Sequence, residues 1–365
     1  VLVVNSGSSS LKLSVLGPAD ELLMDVDLPV SDPGSVGDVL EEGLRHAPDA
    51  DAAGHRVVHG GTESRAAIVL GAGDDDRLAR LAELAPLHNP PAVAAIRCLQ
   101  ALRPALPEVA CFDTAFHATL PAEAFTYALP DAWRGLGLRR FGFHGLSHAW
   151  AARRAAEILG RPPRGLRLVT AHLGSGASLA AVSGGRSVDT TMGFTPLEGL
   201  VMATRSGSVD PGLLLWVLRH EQLTVDELED ALTRRAGLLG LSGVSDDLRR
   251  VFEAADSGDD RSRLAVGVYV HRLRAAVGEM AAAMDGTDAL VFTGGAGEHS
   301  GRLRRDACAG LGFLGVELDD ARNDRAGGGA PDAVVSWDHA RTAVVVVHAR
   351  EDLEIARQVR SLVAI

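Results

Sequence analysis

The chain has 365 residues, 46% hydrophobic and 23% charged, which is the composition of a folded protein long enough for two domains. No apolar run reaches the ~18 residues of a membrane span, and a formal charge of −12 argues against nucleic acid as a bulk partner. Cys98, Cys111 and Cys308 are scattered and unpaired in spacing, which fits neither a disulfide framework nor a zinc ribbon and points to a reducing, cytoplasmic setting. Lys12 is the single lysine among 36 basic residues, and it follows Leu11. The P-loop needs Gly-Lys-[Ser/Thr] and the protein-kinase fold needs Val-Ala-Ile-Lys, so both scaffolds are excluded.

In chain order, residues 1–4 and 11–16 read as apolar strands of a hairpin whose tip is Asn5-Ser6-Gly7-Ser8-Ser9-Ser10, not as a signal peptide. Strands follow at 53–58 and 108–112, with helices near 89–102 and 145–159. A second hairpin repeats the first: strand 166–172, a Leu173-Gly174-Ser175-Gly176 turn, and strand 177–183. Helices are expected near 211–220, 224–235 and 260–284. Strand 289–292 then enters a Gly-rich turn at 293–298, before a helix-like run at 300–309. Strand 343–347 and helix 350–362 close an α/β pattern. The Gly/Asp-rich stretches 71–76, 257–263 and 324–331 read as loose connections. None is long enough to be a flexible interdomain linker, so two domains packed around a cleft are expected.

Small residues at a hairpin tip let backbone N–H groups approach a phosphate, and Asn5 with Ser8 to Ser10 is placed for that. One such tip is an ordinary turn; three in one chain, two opening similar halves, favour phosphate binding. The stretch Gly310-Leu-Gly312-Phe-Leu-Gly315 matches a dinucleotide fingerprint but follows a helical pattern, so it is set aside. His55/His59 and His144/His148 have metal-compatible spacing without His-Glu-x-x-His, and structural or anion-contacting roles fit them better than zinc. Arg56, Asp113, His144 and Arg205 stand at strand ends or in turns, where open α/β folds bind ligands.

Val1-Leu-Val-Val-Asn5-Ser-Gly-Ser-Ser-Ser-Leu-Lys12 resembles the opening signature of the acetate kinase family. Gly193-Phe-Thr-Pro-Leu-Glu-Gly-Leu-Val-Met-Ala-Thr-Arg-Ser-Gly207 resembles its second signature. Further similar blocks run in family order, among them His55-Arg-Val-Val-His-Gly-Gly61, Pro86-Leu-His-Asn-Pro-Pro91, Phe112-Asp-Thr-Ala-Phe-His117, Phe141-Gly-Phe-His-Gly-Leu-Ser-His148, Phe292-Thr-Gly-Gly-Ala-Gly-Glu298 and Arg350-Glu-Asp-Leu-Glu-Ile-Ala356. The resemblance implies duplicated ribonuclease-H-like, actin-like ATPase domains with nucleotide in an interdomain cleft. The domains would be 1–117 plus 352–365 and 118–351, the second making a homodimer.

By that resemblance, Asn5 and Glu351 organise Mg²⁺, or Mn²⁺ in its place. Arg56 and Arg205 contact substrate carboxylate and transferring phosphoryl group, with His144 and Arg205 stabilising the transition state. Asp113 lies beside the acceptor and metal. Val58, Leu87, Phe143 and Pro196 form the apolar pocket for the methyl group. Lys12, His172, Gly174, Ser175, Gly176, Asp247, Leu248, Arg249, Gly294, Gly295, Ala296 and Gly297 belong to the nucleotide side. The implied reaction is reversible in-line transfer of the ATP γ-phosphoryl group to acetate, giving acetyl phosphate and ADP. Spread negative charge in that transfer is met by planar Arg donors and a divalent ion. No general base is needed, because a carboxylic acid with a pKa near ~4 is already ionised. Ser175, Ser208 and His299 depart from the family pattern and bear on nucleotide preference. The alternatives are a propionate or butyrate kinase of the same family and a regulatory ATPase of the same fold.

Overall fold

The computed structural model describes residues 1–7, 10–30, 32–85, 88–327 and 329–365. They group into two compact units, one of Val1–Ala118, Phe143–Trp150 and Arg350–Ile365, the other of Thr119–Gly142 and Ala151–Ala349.

The first unit is built on strands β1 (Leu2–Ser6), β2 (Ser10–Leu16), β3 (Leu22–Pro29), β4 (Ala53–Val57), β5 (Ile68–Val69) and β6 (Glu108–Phe112), in the sheet order β3-β2-β1-β4-β6-β5. The strands β1, β4 and β6 are largely buried on both faces, as a central parallel position requires; β1 and β6 are mostly apolar, whereas β4 carries His55 and Arg56 in its middle. Leu2, Val4, Leu11 and Leu13 pack on one face with residues of the helices Val36–Leu44 and Asn89–Leu102. Val1, Val3, Val109 and Cys111 pack on the other with Ile355, Ala356 and Val359 of the helix Glu351–Val363. Fully burying one such aliphatic side chain stabilises by roughly 1.5–3 kcal/mol, so this helix anchors the sheet face that carries the polar residues described below.

The second unit uses β7 (Arg167–Leu173), β8 (Ala177–Ser183), β9 (Arg186–Thr190), β10 (Ala289–Thr293), β11 (Ala333–Val334) and β12 (Ala343–Val346), in the order β11-β12-β10-β7-β8-β9. Read from the other edge, this is the topology of the first sheet strand for strand. In each, a three-stranded antiparallel meander is followed by two parallel strands and a short antiparallel edge strand that precedes its partner in sequence. The duplication expected from two similar hairpins therefore extends through both sheets.

The expected strands and long helices form. The stretch 71–76, expected as a loose connection, instead starts the helix Asp74–Arg80; Asp74, Asp75 and Asp76 fill its first turn, where negative charge favours the helix dipole. The Gly-rich turn at 293–298 is also helical, since Gly294 leaves β10 at φ 77° and the chain winds directly into Gly294–His299. The discarded Gly310 to Gly315 stretch follows the helix Gly301–Cys308 and holds only a single 3₁₀ turn. Among the described residues, no helix is long and apolar enough to cross a membrane.

Candidate active site

In the first unit, strand alternation assembles a polar cluster from residues distant in sequence. Val1 and Val3 of the β1 segment and Cys111 of β6 pack with the helix Glu351–Val363. Period 2 therefore sends Asn5 and Asp113 to that same face. The parallel registers set Val4 beside His55 and Arg56 beside Cys111, so Arg56 emerges between them, and Glu351 opens the covering helix. Arg56 Nε and Nη2 donate to the two carboxylate oxygens of Asp113 at 3.2 and 2.7 Å, and Nη1 donates to Asn5 Oδ1 at 3.2 Å. Glu351 Oε2 lies 3.6 Å from Arg56 Nε and accepts from Asn5 Nδ2 at 3.4 Å. Of the five guanidinium N–H groups, these contacts leave two for an anionic ligand.

Burial pushes the Asp113 carboxyl up to about 6; the guanidinium of Arg56 opposes the rise and the like charge of Glu351 adds to it. Arg56 is held more firmly charged than usual, because the two carboxylates outweigh its own burial.

His144 adjoins this cluster through its neighbour. It has φ 57°, a left-handed conformation that costs a non-glycine residue energy and tends to persist where the surroundings impose it. Gly145 N–H donates to the Asp113 carbonyl at 2.9 Å, and a Cβ at Gly145 would stand 2.1 Å from that oxygen. Only glycine allows the Asp113 segment and the start of the helix Gly145–Ile158 to meet so closely. Phe143 is buried and its carbonyl is bonded to His117 Nε2 at 3.0 Å, while its ring meets His59 edge-on. Val58 is buried just past the end of β4. Leu87, Ser8 and Ser9 lie outside the described residues. Lys12 pairs with Asp27 at 3.4 Å, both well exposed. The two members of the first histidine pair are not arranged alike: His55 is locked to Glu108 at 2.6 Å across β4 and β6, whereas burial lowers His59 to about 4.

In the second unit, a cavity of about 510 Å³ is lined by Gly174, Ser175, Asp247, Leu248, Arg249, Gly295 and Ala296 from the anticipated nucleotide set, a size suited to a small-molecule ligand. His172, Gly176, Gly294 and Gly297 adjoin this lining without belonging to it. Asp247 caps the helix Leu248–Asp256 by accepting from Arg249 N–H, and its side chain pairs with the Arg249 guanidinium at 2.6 Å. The wall also includes Ala203, Leu238, Asp246, Phe252, Tyr269, His299 and Ser300. Of these, His299 stands out in sequence as a departure from the family pattern. Phe252 follows Leu248 by four residues, a signal open only to a reader who recognises that helix.

Arg205 and Pro196 lie on the segment after β9. Arg205 Nη1 donates to the Pro196 carbonyl at 3.1 Å and lies 3.8 Å from Met202 Sδ. Burial lowers its pKa from the usual arginine value. Unlike Arg56, it pairs with no carboxylate of the described residues. A half-buried cation without a counter-ion is suited to receiving an anion.

Duplicated sheets of this topology are those of the actin-like ATPase fold, and the arginines and cavity on them suit a phosphotransferase. The acetokinase family model matches residues 38–357, and the chain belongs to that family. It is 51% identical over 306 residues to an acetate kinase of Gloeobacter violaceus, covering 84% of this chain and 75% of that protein. It is 50% identical over 319 residues to an acetate kinase of a Synechococcus species, covering 87% and 78%. Among solved structures, an acetate kinase of Porphyromonas gingivalis superposes with a TM-score of 0.91 at 35% identity, and a propionate kinase of Francisella tularensis with 0.90 at 33%. Each comparison covers 99% of both chains.

Proposed function

We propose that this protein is an acetate kinase, catalysing reversible transfer of the ATP γ-phosphoryl group to acetate to give acetyl phosphate and ADP. The observation that carries the reading is the contrast between its two arginines. Arg56 is fixed by Asp113 and Asn5 with two N–H groups to spare, whereas Arg205 has no carboxylate partner among the described residues and is half-buried. In this reading Arg56 orients the acid's carboxylate, which is already ionised and attacks in line. Arg205, with His144, meets the charge on the transferring group. Asp113 positions Arg56 and is not a base. Val58, Phe143, Pro196 and Leu87 hold the methyl end. The cavity beside Gly174, Ser175, Asp247 and Ala296 takes the nucleotide, with His172, Gly176, Gly294 and Gly297 supporting the turns around it.

A divalent ion is part of the proposal, and Asn5 and Glu351 fit one. Asn5 Nδ2 donates to Glu351 Oε2 at 3.4 Å, so the two side chains stand together and each carries a hard oxygen, and among the described residues no three His, Cys, Asp or Glu side chains gather into a cage. So sparse a donor set suits Mg²⁺, or Mn²⁺ in its place, which retains waters and binds through substrate phosphates. The ion would supply neutralisation of phosphate charge. We also take the enzyme to be cytoplasmic, in keeping with its three free cysteines, and homodimeric. The helix Pro211–His220 supports the latter, since it buries none of its residues and leaves Leu213, Leu215 and Trp216 about half exposed.

The test is acyl phosphate formation, trapped as the hydroxamate, with ATP and Mg²⁺ across formate, acetate, propionate and butyrate. Acetate is expected to give the highest kcat/KM. ATP hydrolysis that no carboxylate stimulates would overturn the assignment in favour of a non-transferring ATPase, and a preference for propionate would reassign the acid.

A further inference from the structure

Three side chains outside the reacting set hold the segment that carries Pro196 and Arg205. Arg140 Nη1 donates to the carbonyls of Thr190, Thr191 and Met192 at 3.0, 3.1 and 3.0 Å, and Nη2 donates to Glu198 Oε1 at 2.8 Å. The other oxygen of Glu198 accepts from the Tyr127 hydroxyl at 2.5 Å, and that hydroxyl accepts from Phe194 N–H at 2.9 Å. Glu198 is thus gripped on both oxygens. Its two holders also grip the chain at 190–192 and at 194.

The clip closes over Gly193, where a Cβ would stand 1.7 Å from Glu198 Oε2 and 2.2 Å from the Tyr127 hydroxyl. A side chain there would push the carboxylate out, which gives that glycine of the second signature a physical reason. Pro196 lies between the pinned Phe194 and the pinned Glu198, and its carbonyl receives Arg205. Apart from the Met202 sulfur, this carbonyl is the Arg205 side chain's hydrogen-bond partner, so the place of the guanidinium depends on where the clip holds the loop.

We propose that Glu198, gripped by Arg140 and Tyr127, is a positioning residue that sets Arg205 for phosphoryl transfer. This rests on the role given to Arg205 above. The network reaches Arg205 through the Pro196 carbonyl. Misplacement of a transition-state group by ~1 Å can cost on the order of 10²-fold in rate.

The experiment is a double-mutant cycle on the full chain. Glu198→Ala is expected to lower kcat on the order of 10–100-fold, with KM for ATP little changed. Tyr127→Phe, which removes one hydroxyl, should give a smaller loss in the same direction, and Glu198→Gln should recover part of the rate. In the Arg205→Ala background, Glu198→Ala should cost almost nothing further, because the group it positions is gone. Additive losses, or a Tyr127→Phe enzyme with wild-type kcat, would overturn the proposal while leaving Arg205 in its role. An active Arg205→Ala enzyme would instead overturn the role itself.

Discussion

Arg56 lays Nε and Nη2 along both oxygens of Asp113, at 3.2 and 2.7 Å, from the neighbouring parallel strand. This bidentate pair fixes the plane of the guanidinium. It also sets a titration that the activity should report.

The Asp113 carboxyl, raised by burial to about 6, is ionised above that pH and protonated below it. Protonation releases Arg56, so kcat/KM for the acid should fall as the pH drops through about 6. The substrate's own carboxyl titrates lower, near ~4, which keeps the two limbs apart. Because the native value lies above the ordinary carboxyl value, the contribution of this group to folding is full below the ordinary value and is lost as pH rises through about 6. Activity and this part of stability thus run in opposite directions. Glu351→Gln removes a like charge beside Asp113 and should move the acid limb to lower pH, whatever it does to the maximal rate. A limb that stays in place would show that Asp113 is not its source.

Arg205→Ala should lower kcat by ~10³–10⁵ while nucleotide affinity changes little, on the scale of an arginine that meets transition-state charge. A titration of ADP binding alongside the rate measurement separates the two effects. A folded variant keeping more than about a tenth of wild-type kcat would remove Arg205 from the transition state on that same scale.

Lys12 stands opposite Asn5 in the β1/β2 register, and its ammonium is engaged with Asp27 of β3 at 3.4 Å in an exposed pair. Exposed pairs of this kind contribute little, and the ammonium is held by Asp27 and not by a residue of the Arg56 cluster. Lys12→Arg should therefore keep substantial turnover. Loss of all activity with unchanged thermal unfolding would give Lys12 the direct phosphate contact denied to it here.

The strands visible in the sequence are those that lie in the sheet centres. β1, β6, β10 and β12 are mostly apolar because both faces are covered, and β4 is flanked by them although His55 and Arg56 interrupt it, whereas β3 alternates between exposed and half-exposed residues and β5 and β11 have two residues each. The two-residue strands leave almost no pattern to read, while β3 does carry one, the alternation Met24-Asp-Val-Asp-Leu28 whose apolar side chains pack against the core. The site divides similarly. Arg56 and Asp113 are suggested by their positions at strand ends, but their pairing depends on the β4/β6 register, which spacing in the chain does not encode. Arg140 and Tyr127 have no local signal at all, because they act on Glu198 through contacts spanning 58 and 71 residues.

Substrate choice offers the finest test, at Val58. It follows β4 immediately, and alternation gives it the parity of Arg56, so its side chain can face the methyl end of an acid whose carboxylate Arg56 holds. It is buried, with 6% of its surface exposed, as expected of a pocket wall and equally of a core residue. The two roles separate on substitution. Val58→Ala removes two carbons and makes room for about one extra methylene, worth ~0.8 kcal/mol when buried. If Val58 is wall, kcat/KM for propionate relative to acetate should rise about fourfold on that scale. The change should appear mainly in KM, because contacts at the methyl end are shared by ground and transition states. If Val58 is only core, thermal stability falls and the propionate-to-acetate ratio stays where it was, which would return the recognition of the methyl group to Phe143, Pro196 and Leu87.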